Sequence, residues 1–133
     1  MITNHLLFRP IGQDMLASIV RRMLDQNPEA DPGSAIRGLA TVEWRLHQGP
    51  WRHLLSVYDP EKDRWKMRTE KEAQQVANSV LEFIAGVAAH DETSLQTLRN
   101  KWEGLLVNPD QGYADTAWES VRLMAARFAN ARG

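Results

Sequence analysis

Residues 51–73 read WRHLLSVYDPEKDRWKMRTEKEA. They interrupt a chain whose remaining apolar residues recur at helical spacing. Leu55 and Val57 alternate with Ser56 and Tyr58. After DPEKD, Trp65 and Met67 alternate with Arg64, Lys66 and Arg68. Period two on both sides of a Pro-containing polar turn predicts a β-hairpin. Taking DPEKD as the turn puts Leu55, Val57, Trp65 and Met67 on one face, packed on helices. Ser56, Tyr58, Arg64, Lys66 and Arg68 then face outward. A lone hairpin is marginal in water, so it needs a helical body beneath it.

Two helices are read before the hairpin and three after it. The first spans about Gln13 to Gln26, with Met15, Leu16, Ile19, Val20, Met23 and Leu24 as a double i, i+4 stripe. Asn27-Pro28 stops it, because a residue before proline avoids helical geometry. The second starts with Ser34 as N-cap and runs to about Gln48, with Ile36, Leu39, Val42 and Leu46 on one face. Gly49-Pro50 ends it. Thr69 and Glu72 have capping-box spacing. They open a third helix with Ala73, Val76, Ala77, Val80, Ile84 and Val87 inward to about Ala89. A fourth begins near Thr93 or Ser94 and carries Leu95, Leu98, Trp102, Leu105 and Leu106. A fifth covers about Asp115 to Asn130, with Ala117, Val121, Met124, Ala125 and Phe128 inward. The stripes can bury only against one another. The expected fold is therefore mainly all-α: a compact bundle of about five amphipathic helices, with one β-hairpin between the second and third, in a single domain over residues 1–133.

Composition excludes several functions. The 133 residues contain no cysteine, so disulfides, thiolate metal sites and a thiol nucleophile are impossible. No apolar run approaches the ~20 residues a membrane span needs. The start, MITNHLLFRPIGQ, lacks the basic-then-apolar plan of a signal peptide. A cytoplasmic location without membrane association is expected. Glycines follow neither Walker-A nor Rossmann spacing, and no G-x-S-x-G is present. Ser34, Thr69 and Ser94 are read as helix caps rather than nucleophiles. No catalytic set and no cofactor are expected. The one metal-like grouping is Glu43 and His47, i, i+4 on the second helix, with His53 and Asp59 following. Any charged helix produces such pairs by chance, so no metal is assigned to them. An enzyme built on the His47/His53 region is the remotest reading.

Charge and aromatics point to a surface instead. Net charge is −1, which disfavours a dedicated nucleic-acid binder. Yet residues 36–68 hold seven Lys and Arg against four Asp and Glu. Four of the five tryptophans adjoin a cation: Trp44-Arg45, Trp51-Arg52, Arg64-Trp65-Lys66 and Lys101-Trp102. Interleaved aromatic and basic residues suit base stacking with phosphate contact, or an interface hot spot. The plainer reading places each indole in the core while its neighbour points to water, and it is preferred for Trp65 and Trp102. Trp44 falls off its stripe and Trp51 follows a proline, so these two are expected to be exposed. The candidate contact residues are Trp44, Arg45, Trp51, Arg52, Tyr58, Arg64, Lys66 and Arg68, in the segment 44–68. The expected function is a non-catalytic protein-interaction module or an accessory subunit of a larger assembly, binding a protein partner or itself. The alternative is a nucleic-acid-binding subunit using the same segment. On the outward hairpin face the three cations would stand about 6–7 Å apart; edge protection against strand pairing is the preferred explanation of such a face.

Overall fold

A computed structural model describes residues 5–29, 31–46 and 48–132. The chain is mainly helical with one antiparallel hairpin. Helices α1 (Pro10–Gln26) and α2 (Pro32–Leu39) come first, then the single turn α3 (Arg52–Leu55). Strands β1 (Ser56–Asp59) and β2 (Arg64–Met67) follow, then α4 (Lys71–Ile84), α5 (Glu92–Leu105) and α6 (Tyr113–Arg132). None of the described helices is long and apolar enough to cross a membrane.

α4 forms as its stripe dictates. Ala73, Val76, Ala77, Val80 and Ile84 are buried, joined by Leu81. Its C-terminus is a Schellman motif: Gly86, at φ +75°, donates to the Phe83 carbonyl (3.0 Å), and Val87 donates to that of Glu82 (3.0 Å). Its N-terminus corrects the capping-box expectation. The N-cap is Glu70 and no side-chain cap bond forms, so Thr69 lies outside the helix. α5 starts at Glu92, one or two residues before the expected Thr93 or Ser94, because Asp91 caps it, accepting from the Ser94 amide at 2.6 Å.

α2 departs most from expectation. Asp31, not Ser34, is its N-cap, accepting from Gly33 N at 3.0 Å, and Pro32 sits at the first helical position. The helix stops at Leu39 rather than continuing to Gln48. Side chains take its last carbonyls: Thr41 Oγ1 donates to Gly38 O (2.7 Å) and the Trp44 indole to Leu39 O (3.0 Å). That satisfies the helix end without another turn. Ile36, expected inward, is 67% exposed because the shortened helix turns its Gly38 side to α6. The ring of Phe128 lies so close to Gly38 that a Cβ there would sit 2.8 Å from it.

Between α2 and α3 the described residues form turns, ending in a 3-10 turn at Gly49–Trp51, and aromatic donors meet three of their carbonyls. Trp51 Nε1 donates to Glu43 O (2.5 Å), Trp102 Nε1 to Pro50 O (3.0 Å) and the Tyr113 hydroxyl to Gly49 O (2.5 Å). Leu6 N closes onto Trp44 O at 2.7 Å. The core therefore centres on Trp51, Trp102 and Trp118, with Leu54, Val80, Val121 and Phe128 around them.

The hairpin exists where expected, but with a different register. Ser56 pairs Met67, Val57 pairs Lys66, Tyr58 pairs Trp65 and Asp59 pairs Arg64. Opposed residues share a face. Ser56, Tyr58, Trp65 and Met67 thus lie on one side, and Val57, Asp59, Arg64 and Lys66 on the other. The cause is turn length: DPEKD as a five-residue turn would pair Tyr58 with Arg64, whereas Asp59 here belongs to the strand. Asp59 Oδ1 accepts from Glu61 N (3.1 Å), and Asp63 takes the left-handed conformation (φ +47°) that closes a four-residue turn. A slip of one residue exchanges every face relation between strands.

Candidate functional site

The residues that the sequence groups as one basic-aromatic surface separate into framework and surface. Trp44 and Trp51, expected as the exposed indoles, are 8% and 0% exposed. Their N–H groups hold the carbonyls of Leu39 and Glu43, so neither ring is free to stack on a ligand. Arg68 is also framework. Its side chain is 9% exposed and Nη1 donates to the carbonyls of Leu105 (2.6 Å), Leu54 (3.1 Å) and His53 (3.4 Å), while Nε pairs Glu70 at 2.9 Å. Arg45 is exposed and held by Glu43, Nε to Oε1 at 2.7 Å. Arg64 and Lys66 remain outward on the hairpin, as expected, but beside Val57 and Asp59.

Of the four residues considered for a metal, the three that are described, Glu43, His53 and Asp59, form no metal-binding group. Glu43 lies outside any helix, so it shares no helical face with residue 47, and its carboxylate is turned onto Arg45, which lowers its pKa. His47 lies outside the described residues. Asp59 is in β1. Among the described residues no three potential metal-binding side chains come together.

Arg52 and Tyr58 do meet, around Trp65, in a cleft between the hairpin and the α5–α6 connector. The cleft has a volume of about 340 Å³. His53 forms its floor. The Arg52 guanidinium stands over the Trp65 ring at 5.1 Å. Tyr58 and His53 each meet Trp65 edge-on at 5.7 Å, and His53 meets Tyr113 edge-on at 4.6 Å. The Tyr58 hydroxyl donates to the Asp63 carboxylate, and this partner raises the Tyr58 pKa.

His53 clasps the connector twice. Its carbonyl accepts from Val107 N at 3.0 Å, and its Nδ1 lies 3.1 Å from Val107 O. A carbonyl only accepts, so Nδ1 carries the hydrogen and Nε2 of the neutral ring holds a bare lone pair. Nε2 is buried, with no hydrogen-bond partner among the described residues; Asp110 Oδ2 is 3.7 Å away. Arg52 Nη2 lies at the same distance from that oxygen. Asn108, left-handed at φ +47°, bends the connector over the imidazole. Burial pushes the His53 pKa below its ordinary 6.5, Asp110 opposes that shift and Arg52 adds to it. Burial also pushes the Tyr113 hydroxyl far up.

A second surface lies on α1. Of its double stripe, Met15, Ile19 and Met23 enter the core. Leu16 and Val20 stay partly exposed, and Leu24 is 37% exposed. With Leu7 and Ala17 they line a shallow apolar hollow of about 620 Å³, edged by Arg21 and Asp25. The other flank of α1 borders a groove with α4 of about 790 Å³. Ile11, Met15 and Met67 line it, together with Gln74, Gln75 and Asn78.

Sequence reasoning missed Asp110 as a cleft residue and Tyr113 as the ring that packs against His53. NPDQGY (108–113) reads as turn punctuation, and nothing local reveals that it folds over His53. The α1 surface did have a signal, since the double stripe is wider than one core contact needs. Comparison with protein-family models, with curated proteins and with solved structures gave no match.

Proposed function

We propose that this chain is a small, non-catalytic protein-interaction module that docks through the outer stripe of α1. The observation that carries this reading is Leu16, Val20 and Leu24, three large aliphatic residues one turn apart on a surface face. The inner stripe anchors α1 in the core, while Leu16 and Val20 pack against that core with one side and keep exposed surface on the other. Burying such a face stabilises a complex at roughly 25 cal/mol per Å² before ordering costs. Arg21 and Asp25 beside it supply a polar edge of both signs, the usual companion of an apolar interface centre. The occupant is a protein with a matching apolar face, a second copy included.

A nucleic-acid-binding reading draws on Arg64 and Lys66 with the half-buried Trp65. Asp59, Glu61 and Asp63 stand in the same hairpin, so the local field is close to neutral and phosphate attraction is weak.

The test compares wild type with a Leu16→Glu/Leu24→Glu variant. Sizing chromatography with light scattering reports self-association, and affinity capture from one lysate reports other partners. Circular dichroism checks that helix content is kept. The reading expects an assembly formed by wild type to be lost in the variant. It fails if wild type is monomeric at every concentration and the variant retains each captured protein. Salt-sensitive binding of single-stranded nucleic acid, lost in Arg64→Ala/Lys66→Ala, would support the alternative.

A further inference from the structure

The cleft floor holds an arrangement that the interaction reading does not use. A bare imidazole lone pair faces a carboxylate oxygen 3.7 Å away. Both atoms are hydrogen-bond acceptors, so no bond joins them while the ring is neutral, and like partial charges keep them apart. A proton on Nε2 changes the contact from acceptor–acceptor to a charge-assisted N–H···O pair. Such pairs settle at about 2.7–2.9 Å, so the connector would move inward by somewhat under an ångström. Asp110 is free to make this move, with its side chain 69% exposed. His53 is not, being fixed by the Val107 clasp and wedged between Trp65 and Tyr113.

We propose that His53 and Asp110 form a proton-operated latch across the cleft. With the imidazole neutral, Asp110 stands off and the cleft is open. When Nε2 takes a proton from solvent, the imidazolium donates to Asp110 Oδ2 and draws Asn108–Asp110 onto the hairpin, narrowing the cleft beside Trp65 and Tyr58. The other charged and titratable groups around His53 leave this contact in place. Arg52 approaches the same Asp110 oxygen and tethers it near the latch. Arg68 faces the His53 carbonyl, not its ring, and is itself paired with Glu70. The Tyr113 hydroxyl is engaged with Gly49 O and stays protonated. Because burial holds proton affinity below that of the unfolded chain, His53's contribution to stability is complete above about pH 6.5 and falls as pH drops through the folded-state value. The latch offsets part of that fall.

The test is side-chain ¹⁵N–¹H NMR of His53 in the full chain from about pH 7.5 to about pH 5, with amide exchange protection of Asn108 and Asp110 followed in parallel. The expected result is the Nδ1–H tautomer at the upper limit, a titration midpoint below 6.5, and protection of both amides rising several-fold along the same curve. Asp110→Ala should lower the midpoint, abolish the rise in protection and steepen the loss of urea stability on acidification. The latch is overturned if His53 carries its hydrogen on Nε2 at neutral pH, if protection falls as His53 titrates, or if Asp110→Ala leaves the midpoint unchanged.

Discussion

Helix α4 and the segment from Thr41 to Trp51 solve the same problem in opposite ways. Each must bury apolar side chains without leaving backbone groups unpaired. α4 does so locally: every turn bonds to the previous one, and a Gly86 Schellman motif closes the end. Among its described residues, the Thr41–Trp51 segment has one 3-10 turn, Gly49–Trp51, and no α-helix or strand of its own. The Glu43 carbonyl is met from within the segment by the Trp51 indole, and those of Pro50 and Gly49 by an indole and a phenol that arrive from α5 and α6. The tryptophans next to cations are therefore largely scaffolding, while their basic neighbours Arg45 and Lys101 point outward. Local self-sufficiency makes α4 robust, whereas a borrowed hydrogen-bond supply makes the loop sensitive to distant substitutions.

The largest expected effect falls on Trp51, whose indole supplies one of the loop's hydrogen bonds. Trp51→Ala removes a ring that is 0% exposed and strands the Glu43 carbonyl. It should cost about 3–5 kcal/mol, as large-to-small changes of buried aromatics do, seen as a lower urea midpoint. Val80→Ala, equally buried but inside the self-sufficient α4, should cost less because no polar group is orphaned. A larger loss for Val80→Ala would break the comparison.

Arg68 comes next. Arg68→Met keeps much of its volume but takes a donor from the carbonyls of Leu105 and Leu54, while that of His53 keeps Val107 N. A loss of roughly 1–3 kcal/mol follows from the cost of unsatisfied buried polar groups. Arg64→Ala and Lys66→Ala, on the exposed hairpin face, should each stay within about 0.5 kcal/mol. Equal effects at all three positions would restore the single outward basic face.

The smallest effects separate a real helix cap from one suggested by spacing alone. Asp91→Ala should cost about 1 kcal/mol, since its carboxylate caps α5 through Ser94 N. Thr69→Ala should change stability by less than about 0.5 kcal/mol, because Thr69 makes no cap bond in front of α4. Thermal or urea unfolding of the pair checks both, and a larger loss at Thr69 would place the start of α4 one residue earlier.

Much of the architecture was legible in the residues themselves. Helical periodicity located α1, α4, α5 and α6, and proline, glycine and asparagine marked the turns between them. Period-two alternation around DPEKD located the hairpin, and the outer stripe of α1 was visible as apolar residues beyond one core contact. These features depend on interactions within a few residues, and a local pattern records them. Tertiary structure alone decided where α2 ends, which indoles are buried, on which hairpin face each side chain lies, and that Asp110 reaches His53. The Phe128 ring against Gly38 and the Val107 bonds that bring Asp110 to His53 are remote, and the hairpin faces rest on a single residue of turn length. The Trp102–Pro50 bond spans 52 positions and the Tyr113–Gly49 bond 64. A four-residue turn instead of a five-residue one reassigns every face between the strands. Spacing along a chain holds no information about donors that arrive from its far end, and for that reason the cleft was absent from the sequence and present in the fold.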